Sequence, residues 1–331
     1  MTSLTVFAPS GVELRTPAIK LARQRLSALG FEVTLDPSVR ARQQRFAGSD
    51  DTRLATLYRV ADAAPGVAMA CRGGYGLSRL LDRIDWPRLA RSVESGTRWV
   101  GFSDLTALQL GLLGHTGAAS WHGPMACDDF GRSDEAGGVD DVTQACFAEA
   151  MSGELEAVGF RTEAGFDGLA TRGTLWGGNL AMVLSLLGTP HWPKVRDGIL
   201  FLEDVNEPPD RVERMLLQLQ QAGVLQRQKA VLLGAFSDWR KSPMDRGYTL
   251  KSAITHLRSV CTTPIMTGLP FGHVPTKVML PVGARVQLVV QGRAVLIGWE
   301  AVGGWRSAAA HGLKPPANPH PPAPRMLSTP R

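Results

Sequence analysis

Cysteine is scarce in this 331-residue sequence, and the four present, Cys71, Cys127, Cys146 and Cys261, form no Cys-x-x-Cys pair. That spacing argues against a disulfide framework and against a structural zinc site, and it reads as buried free thiols. Long apolar runs are also lacking. No stretch nears the roughly 18 residues that a membrane helix needs, so no membrane partner is expected. The opening MTSLTVFAPSGVELR has no basic segment followed by an apolar one. No secretory signal is read there, and a cytoplasmic location is expected. No internal repeat is found. Acidic residues are in slight deficit, 30 against 36 Lys and Arg, which leaves a net charge of +6. The basic residues are dispersed, and the densest group, Arg40, Arg42 and Arg45, is followed by Asp50 and Asp51. With no RNA-binding or helix-turn-helix signature, no nucleic-acid partner is expected.

What the sequence does contain is ample material for a core. With 44% hydrophobic and 20% charged residues, a chain of this length fits a soluble globular protein of two domains. The first half alternates strand-like and helix-like stretches. LTVFAP (4–9) is an apolar run ended by a Pro-Ser-Gly turn. Thr16 then reads as a helix cap, Pro17 as the first helical residue and Gly30 as the stop. FEVTLD (31–36) is the next strand, residues 50–63 the next helix, and GVAMA (66–70) a short buried strand. TRWVGF (97–102) follows and leads into a helix reaching about Leu113. Strands and helices alternating at this spacing imply parallel β-α-β units.

Residues 128–141 are acidic and Gly-rich, and with a helix at 142–152 they read as a linker. The second half is mixed. It holds strands at ILFLEDV (199–205) and AVLLGAF (230–236), an amphipathic helix from Pro209 and another helix over 248–260. A β-hairpin turning at Gln291-Gly292 follows. From about His311 there is much proline and little to bury, which reads as a disordered tail. The expected division is an α/β domain over 1–127, a linker over 128–165, an α+β domain over 166–310 and the tail over 311–331.

Several stretches carry chemistry. ACRGGYGLSRLL (70–81) places Gly73, Gly74 and Gly76 between a strand and a helix. Either this is a tight turn, or it is a nest of amides beside a reaction centre with Arg72 and Tyr75 near substrate. It is no dinucleotide fingerprint and no Walker lysine follows, so no cofactor is expected. In RWVGFSDLTALQLG (98–111), Ser103 sits where a strand breaks into a helix. Such a serine is a helix cap or a displayed nucleophile. The Asp104 amide beside it, at the positive helix end, could hold an oxyanion. Glu203 and Asp204 end a buried strand, where α/β folds put their sites; a solvated carboxylate or a helix cap is the plainer reading. His273 lies in the Gly/Pro-punctuated loop GLPFGHVPTK, and His122 in SWHGPM is a second candidate for a pocket wall. WGGN (176–179), ending in Asn179, reads as another close backbone approach and a substrate-side candidate. A serine nucleophile needs a base and the base needs an acid, and spacing alone leaves open whether Ser103, His273 and Glu203 meet.

Six segments in this order, ACRGGYGLSRLL, VGFSDLTAL, HGPM, WGGNLAMVLSLLGTP, FLEDVNEPPDRVERML and FGHVPTKVMLPVGA, resemble the LD-carboxypeptidases. These are the muramoyltetrapeptide carboxypeptidases, serine peptidases of murein recycling, and the resemblance covers about residues 4–300. It implies an N-terminal doubly wound, flavodoxin-like parallel-sheet domain, a C-terminal mixed α+β domain and an active site in the cleft between them. It further implies a triad of Ser103 as nucleophile, Glu203 as acid and His273 as base, with backbone N–H groups of Gly73, Gly74 and Asp104 holding the oxyanion. The implied reaction releases the terminal D-alanine of a murein tetrapeptide without a metal, and the family tends to form homodimers. The family also contains self-immunity hydrolases that cut aminoacyl-nucleotide (microcin C-like) toxins, which is the alternative reading.

Overall fold

Five strands of the first half, β1 (Thr2–Phe7), β2 (Phe31–Leu35), β3 (Val67–Ala70), β4 (Arg98–Gly101) and β5 (Ser120–His122), pair in parallel in the order β2-β1-β3-β4-β5. The computed structural model describes residues 1–299, so the expected tail over 311–331 lies outside the described residues. All residues of β3 and β4 are buried, as a parallel sheet covered on both faces requires. The connections carry α1 (Thr16–Ala28), α2 (Asp50–Ala63), α3 (Trp86–Glu94) and α4 (Leu105–Thr116). This is the flavodoxin-like, doubly wound order, whose topological switch point lies between β1 and β3.

Two local expectations change. Thr16 does not cap α1: it is already helical, and Arg15 at the cap position makes no side-chain capping bond. The Arg15 amide donates instead to Glu13 Oε1 at 2.7 Å, which fixes the entry to the helix from outside. The glycines at 73–76 do not lead straight into an α-helix either. Two 3-10 turns, Leu77–Arg79 and Leu81–Arg83, intervene, and α3 starts only after Asp85, whose side chain accepts the Arg88 amide.

The segment expected as a linker carries packed structure. A single wide turn over Ala126–Phe130 is followed by α5 (Asp141–Ser152). Phe130 and Phe147 are fully buried, with ring centroids 5.2 Å apart, and Phe147 lies 5.4 Å from Phe31 of β2. These residues complete the first unit. The crossing to the second unit narrows to residues 153–156.

The second unit is built on β6 (Ala157–Arg161), β7 (Ala170–Asn179), β8 (Gly198–Val205), β9 (Gln228–Ser237) and β10 (Ile265–Thr267). After β11 (Leu280–Val282) come β12 (Arg285–Gln291) and β13 (Ala294–Trp299). The sheet order is β10-β9-β8-β7-β12-β13-β6, parallel from β10 to β7 and antiparallel from β7 to β6. Helices α6 (Leu180–Ser185), α7 (Pro209–Gln221) and α8 (Leu250–Val260) accompany it. The hairpin closes on the pair Gln291 and Ala294, so its turn is Gly292-Arg293, one residue later than expected, with Gly292 at φ +59°. One strand changes sides: β11 leaves the second unit and pairs antiparallel with β5 in the first sheet.

Candidate active site

The site begins at the switch point, where the loops after β1 and β3 meet. The Gly11 amide donates to the Gly73 carbonyl at 3.0 Å, and the Cys71 amide to Phe7 O at 2.7 Å. Next to them β4 breaks into α4 at Ser103, which holds a left-handed backbone conformation, φ +61°. Ser103 is not the helix cap. Asp104 occupies the cap position, and only the Ser103 backbone carbonyl serves the helix, accepting from the Thr106 amide. A Cβ added to Gly73 would stand 2.7 Å from both Cβ and Oγ of Ser103 and 3.6 Å from the Asp104 nitrogen. Glycine at 73 is thus what lets the loop close onto the Ser103 hydroxyl.

The Asp104 side chain, which the sequence reading passed over, ties this corner together. Its Oδ2 accepts from Ser10 Oγ at 2.6 Å and from the Leu77 amide at 2.9 Å. Burial pushes the carboxyl up; the hydrogen bonds from Ser10 and Leu77 oppose that shift. Three loops, after β1, β3 and β4, are joined through one carboxylate. The partners lie 94 and 27 positions away, so no local motif signals the contact.

From the second unit, β8 delivers Glu203, 1% exposed. Its Oε2 lies 2.7 Å from His273 Nδ1. Its other oxygen meets no partner among the described residues, so this carboxylate serves His273 alone. An acceptor at Nδ1 assigns the proton to that nitrogen and leaves Nε2 as the acceptor face. Burial pulls the His273 pKa down, but the hydrogen bond and the charge of Glu203 more than offset this, and the net shift is upward. The Phe102 ring, next to Ser103 in the chain, packs edge-on against His273 with centroids 4.8 Å apart. No hydrogen bond joins Ser103 to His273 in this arrangement, though such contacts often tighten only with substrate bound.

The neighbouring Asp204 has a different task. It accepts from Asn179 Nδ2 at 2.8 Å, the Ala181 amide at 2.9 Å and the Val205 amide at 2.8 Å, so it anchors the start of α6. Burial lifts its pKa to about 6.

Two expected substrate-side residues turn inward. Asn179 is bonded within the protein at its backbone amide (to Thr106 Oγ1), its Nδ2 (to Asp204) and its Oδ1 (from the Met182 amide). Its role is to dock β7 on α4. His122 is fully buried, its ring 4.6 Å from Phe271, behind the site rather than on its open wall. Gln109 spends its Nε2 on two carbonyls, so its Oε1 accepts from His122 Nδ1 at 2.8 Å. Burial and then His273 push the His122 pKa down to about 3, which keeps this ring neutral. Arg72 and Tyr75 flank the glycine pair Gly73-Gly74 in the chain. Arg72 donates to Val12 O at 3.0 Å while its buried Nε meets no partner among the described residues. Tyr75 is 42% exposed.

Two further features escaped the sequence reading. Lys277 and Asp129, both buried, form an ion pair at 2.6 Å, with the ammonium 5.0 Å from the Phe102 ring centroid. Cys71 and Cys127 are fully buried with sulfurs 3.2 Å apart, and Glu13 joins them within 4.8 Å. Both Glu13 oxygens are already bonded by Arg15.

A left-handed serine at a strand-to-helix break, set against a glycine loop, with a Glu–His pair from a second unit packed on the preceding residue, has the outline of an acyl-transfer hydrolase. Residues 4–123 match the LD-carboxypeptidase N-terminal domain and residues 172–288 the LD-carboxypeptidase C-terminal domain. The crystal structure of a muramoyltetrapeptide carboxypeptidase from Oxalobacter formigenes is 38% identical, with a TM-score of 0.83 over 91% of this chain and 99% of that one. The murein tetrapeptide carboxypeptidase of Pseudomonas aeruginosa is 29% identical over 82% of this chain and 87% of its own length. The microcin C7 self-immunity protein MccF, in an inactive-mutant apo structure, is 19% identical with a TM-score of 0.80 over 91% of this chain and 97% of that one, a likeness of fold. The chain belongs to the LD-carboxypeptidase family, and its activity is that of a carboxypeptidase.

Proposed function

We propose that this carboxypeptidase is a serine enzyme that releases the terminal D-alanine of a murein tetrapeptide by cutting an L,D-peptide bond. The observation that carries the reading is the 2.7 Å bond between His273 Nδ1 and buried Glu203, set beside the elbow that presents Ser103. His273 Nε2 takes the Ser103 proton as the hydroxyl attacks the carbonyl of the L-centre. Glu203 fixes the ring's tautomer and stabilises the imidazolium that forms. The amides of Asp104 and of Gly73 or Gly74 hold the tetrahedral oxyanion, each such donor supplying about 2.7–4 kcal/mol of transition-state stabilisation. His273 then protonates the leaving D-alanine nitrogen, and water, deprotonated by the same ring, hydrolyses the acyl-serine. Arg72 is the cation assigned to the substrate's terminal carboxylate, because its buried Nε has no protein partner. The likeness to the Oxalobacter and Pseudomonas murein carboxypeptidases supports this substrate class.

The test incubates wild type and Ser103→Ala with UDP-MurNAc-tetrapeptide and, separately, with an aminoacyl-nucleotide amide, and assays free D-alanine and free amino acid. Wild type is expected to release D-alanine, and the variant to lose on the order of 10⁴-fold or more in kcat. Turnover of the nucleotide alone, or D-alanine release undiminished by the variant, would overturn the reading.

A further inference from the structure

The loop that carries His273 is fastened to the first unit, and the fastening is built of side chains that the reaction itself does not use. The Lys277 amide donates to Thr143 Oγ1 at 2.7 Å, and that hydroxyl donates to Pro275 O at 3.0 Å. Thr276 Oγ1 donates to Asp140 Oδ2 at 2.9 Å. At the centre, Lys277 Nζ donates to Asp129 Oδ1 at 2.6 Å and to the carbonyl of Val274, the residue after His273. Lys277 and Asp129 are each about 2% exposed. The ammonium also lies against Phe102, whose ring in turn touches the His273 ring. It therefore stands between the backbone of the His273 loop and the residue preceding Ser103.

Stability does not explain this pair. Desolvating two charges costs about as much as their attraction returns, and well-packed apolar residues do as well or better in such places. Hydrophobic side chains, however, could not hold a carbonyl at one fixed point or set a positive charge beside an imidazole. We propose that Lys277, held by Asp129, is a positioning residue that sets His273 against Ser103 across the two units. This rests on His273 being the base. The charge also has a direction. The groups acting on His273 are Glu203 and Asp204, which favour the imidazolium, and Lys277, which opposes it. Lys277 thereby returns part of the basicity that Glu203 imposes and leaves more of the ring neutral at a given pH. On the first unit, Asp129 is faced by Lys277 and, at 3.4 Å, by Arg132.

The experiment uses the full chain with Lys277→Met, Asp129→Asn and the double variant, since the double removes both fully buried charges and leaves only the part-exposed Arg132 without its 3.4 Å contact to Asp129. D-alanine release is measured from pH 5 to 9, alongside the thermal midpoint and the His273 titration followed by NMR. The double variant is expected to stay folded, with kcat down about 10- to 100-fold, as a misplacement near 1 Å produces. KM should stay within about twofold and the rate's acidic limb should move to higher pH. The His273 titration should move the same way. That last readout holds even if His273 is not the base, so it separates a failure of this proposal from a failure of the triad. A folded double variant with wild-type kcat and an unmoved His273 titration overturns the proposal.

Discussion

At Ser103 the backbone is held where an L-residue other than glycine sits at a cost of about 1–2 kcal/mol. The strain is local and removable, which gives a direct measurement. Ser103→Ala and Ser103→Gly both remove the hydroxyl, but only glycine relaxes the φ of +61°. The glycine variant is expected to be about 1 kcal/mol more stable than the alanine variant, with neither turning over substrate; equal denaturation midpoints would show that the site stores no such strain. His273 makes a second residue-scale prediction. Its pKa is raised in the fold, so the neutral base appears, and the rate climbs, only as pH passes a value above the reference of about 6.5. The same raised value stabilises the fold fully below about pH 6.5, and that contribution fades as pH rises through the folded pKa. Glu203→Gln should move the acidic limb to lower pH and reduce kcat by on the order of 10⁴-fold. An acidic limb that stays in place would separate Glu203 from the titration of the base.

At the scale of elements, β7 explains both an oversight and a vulnerability. It runs antiparallel to β12 over Ala170–Thr174 and then parallel to β8 over Leu175–Asn179. Its first half is partly exposed and its second half buried, so no single period marks it and the sequence reading found only its end, WGGN. Strands β5, β10 and β11 escaped for a different reason: three residues are too few to show an alternation. The apolar runs at β1, β3, β4, β8 and β9 were legible because strands covered on both faces read as nearly continuous apolar stretches. Ser103, Glu203 and His273 stood out as candidates through their motifs, whereas Lys277 and Asp129 did not. They stand 148 positions apart, and each alone looks like an ordinary loop charge; only packing makes them a pair. The vulnerability of β7 is Gly178, at φ +138°, where an added Cβ would meet Thr106 Oγ1 at 2.5 Å and His122 Cε1 at 3.0 Å. Both belong to the first unit. Gly178→Ala is expected to drive α4 and β7 apart and to lower stability by about 2 kcal/mol, read by chemical denaturation. An unchanged midpoint would mean that the two units are not pressed together there.

Across the whole molecule, the two units are joined by more than their short connection. Asn179 docks on Thr106, Lys277 on Asp129 and Thr276 on Asp140, so the contacts that align the site are spread along the interface. Among the described residues no helix is long and apolar enough to cross a membrane. The largest tie is β11, whose residues Leu280–Val282 close the outer side of the first sheet from a position after β10 of the second. This has a consequence for synthesis. A ribosome releases Ser103 with most of its own sheet early, but β5 keeps a bare edge until residue 282 has emerged. His273 arrives 273 − 103 = 170 residues after Ser103. The nascent chain thus carries the Ser103 turn without the His273 loop throughout most of its translation, and the strand that seals the sheet follows within ten residues of that histidine.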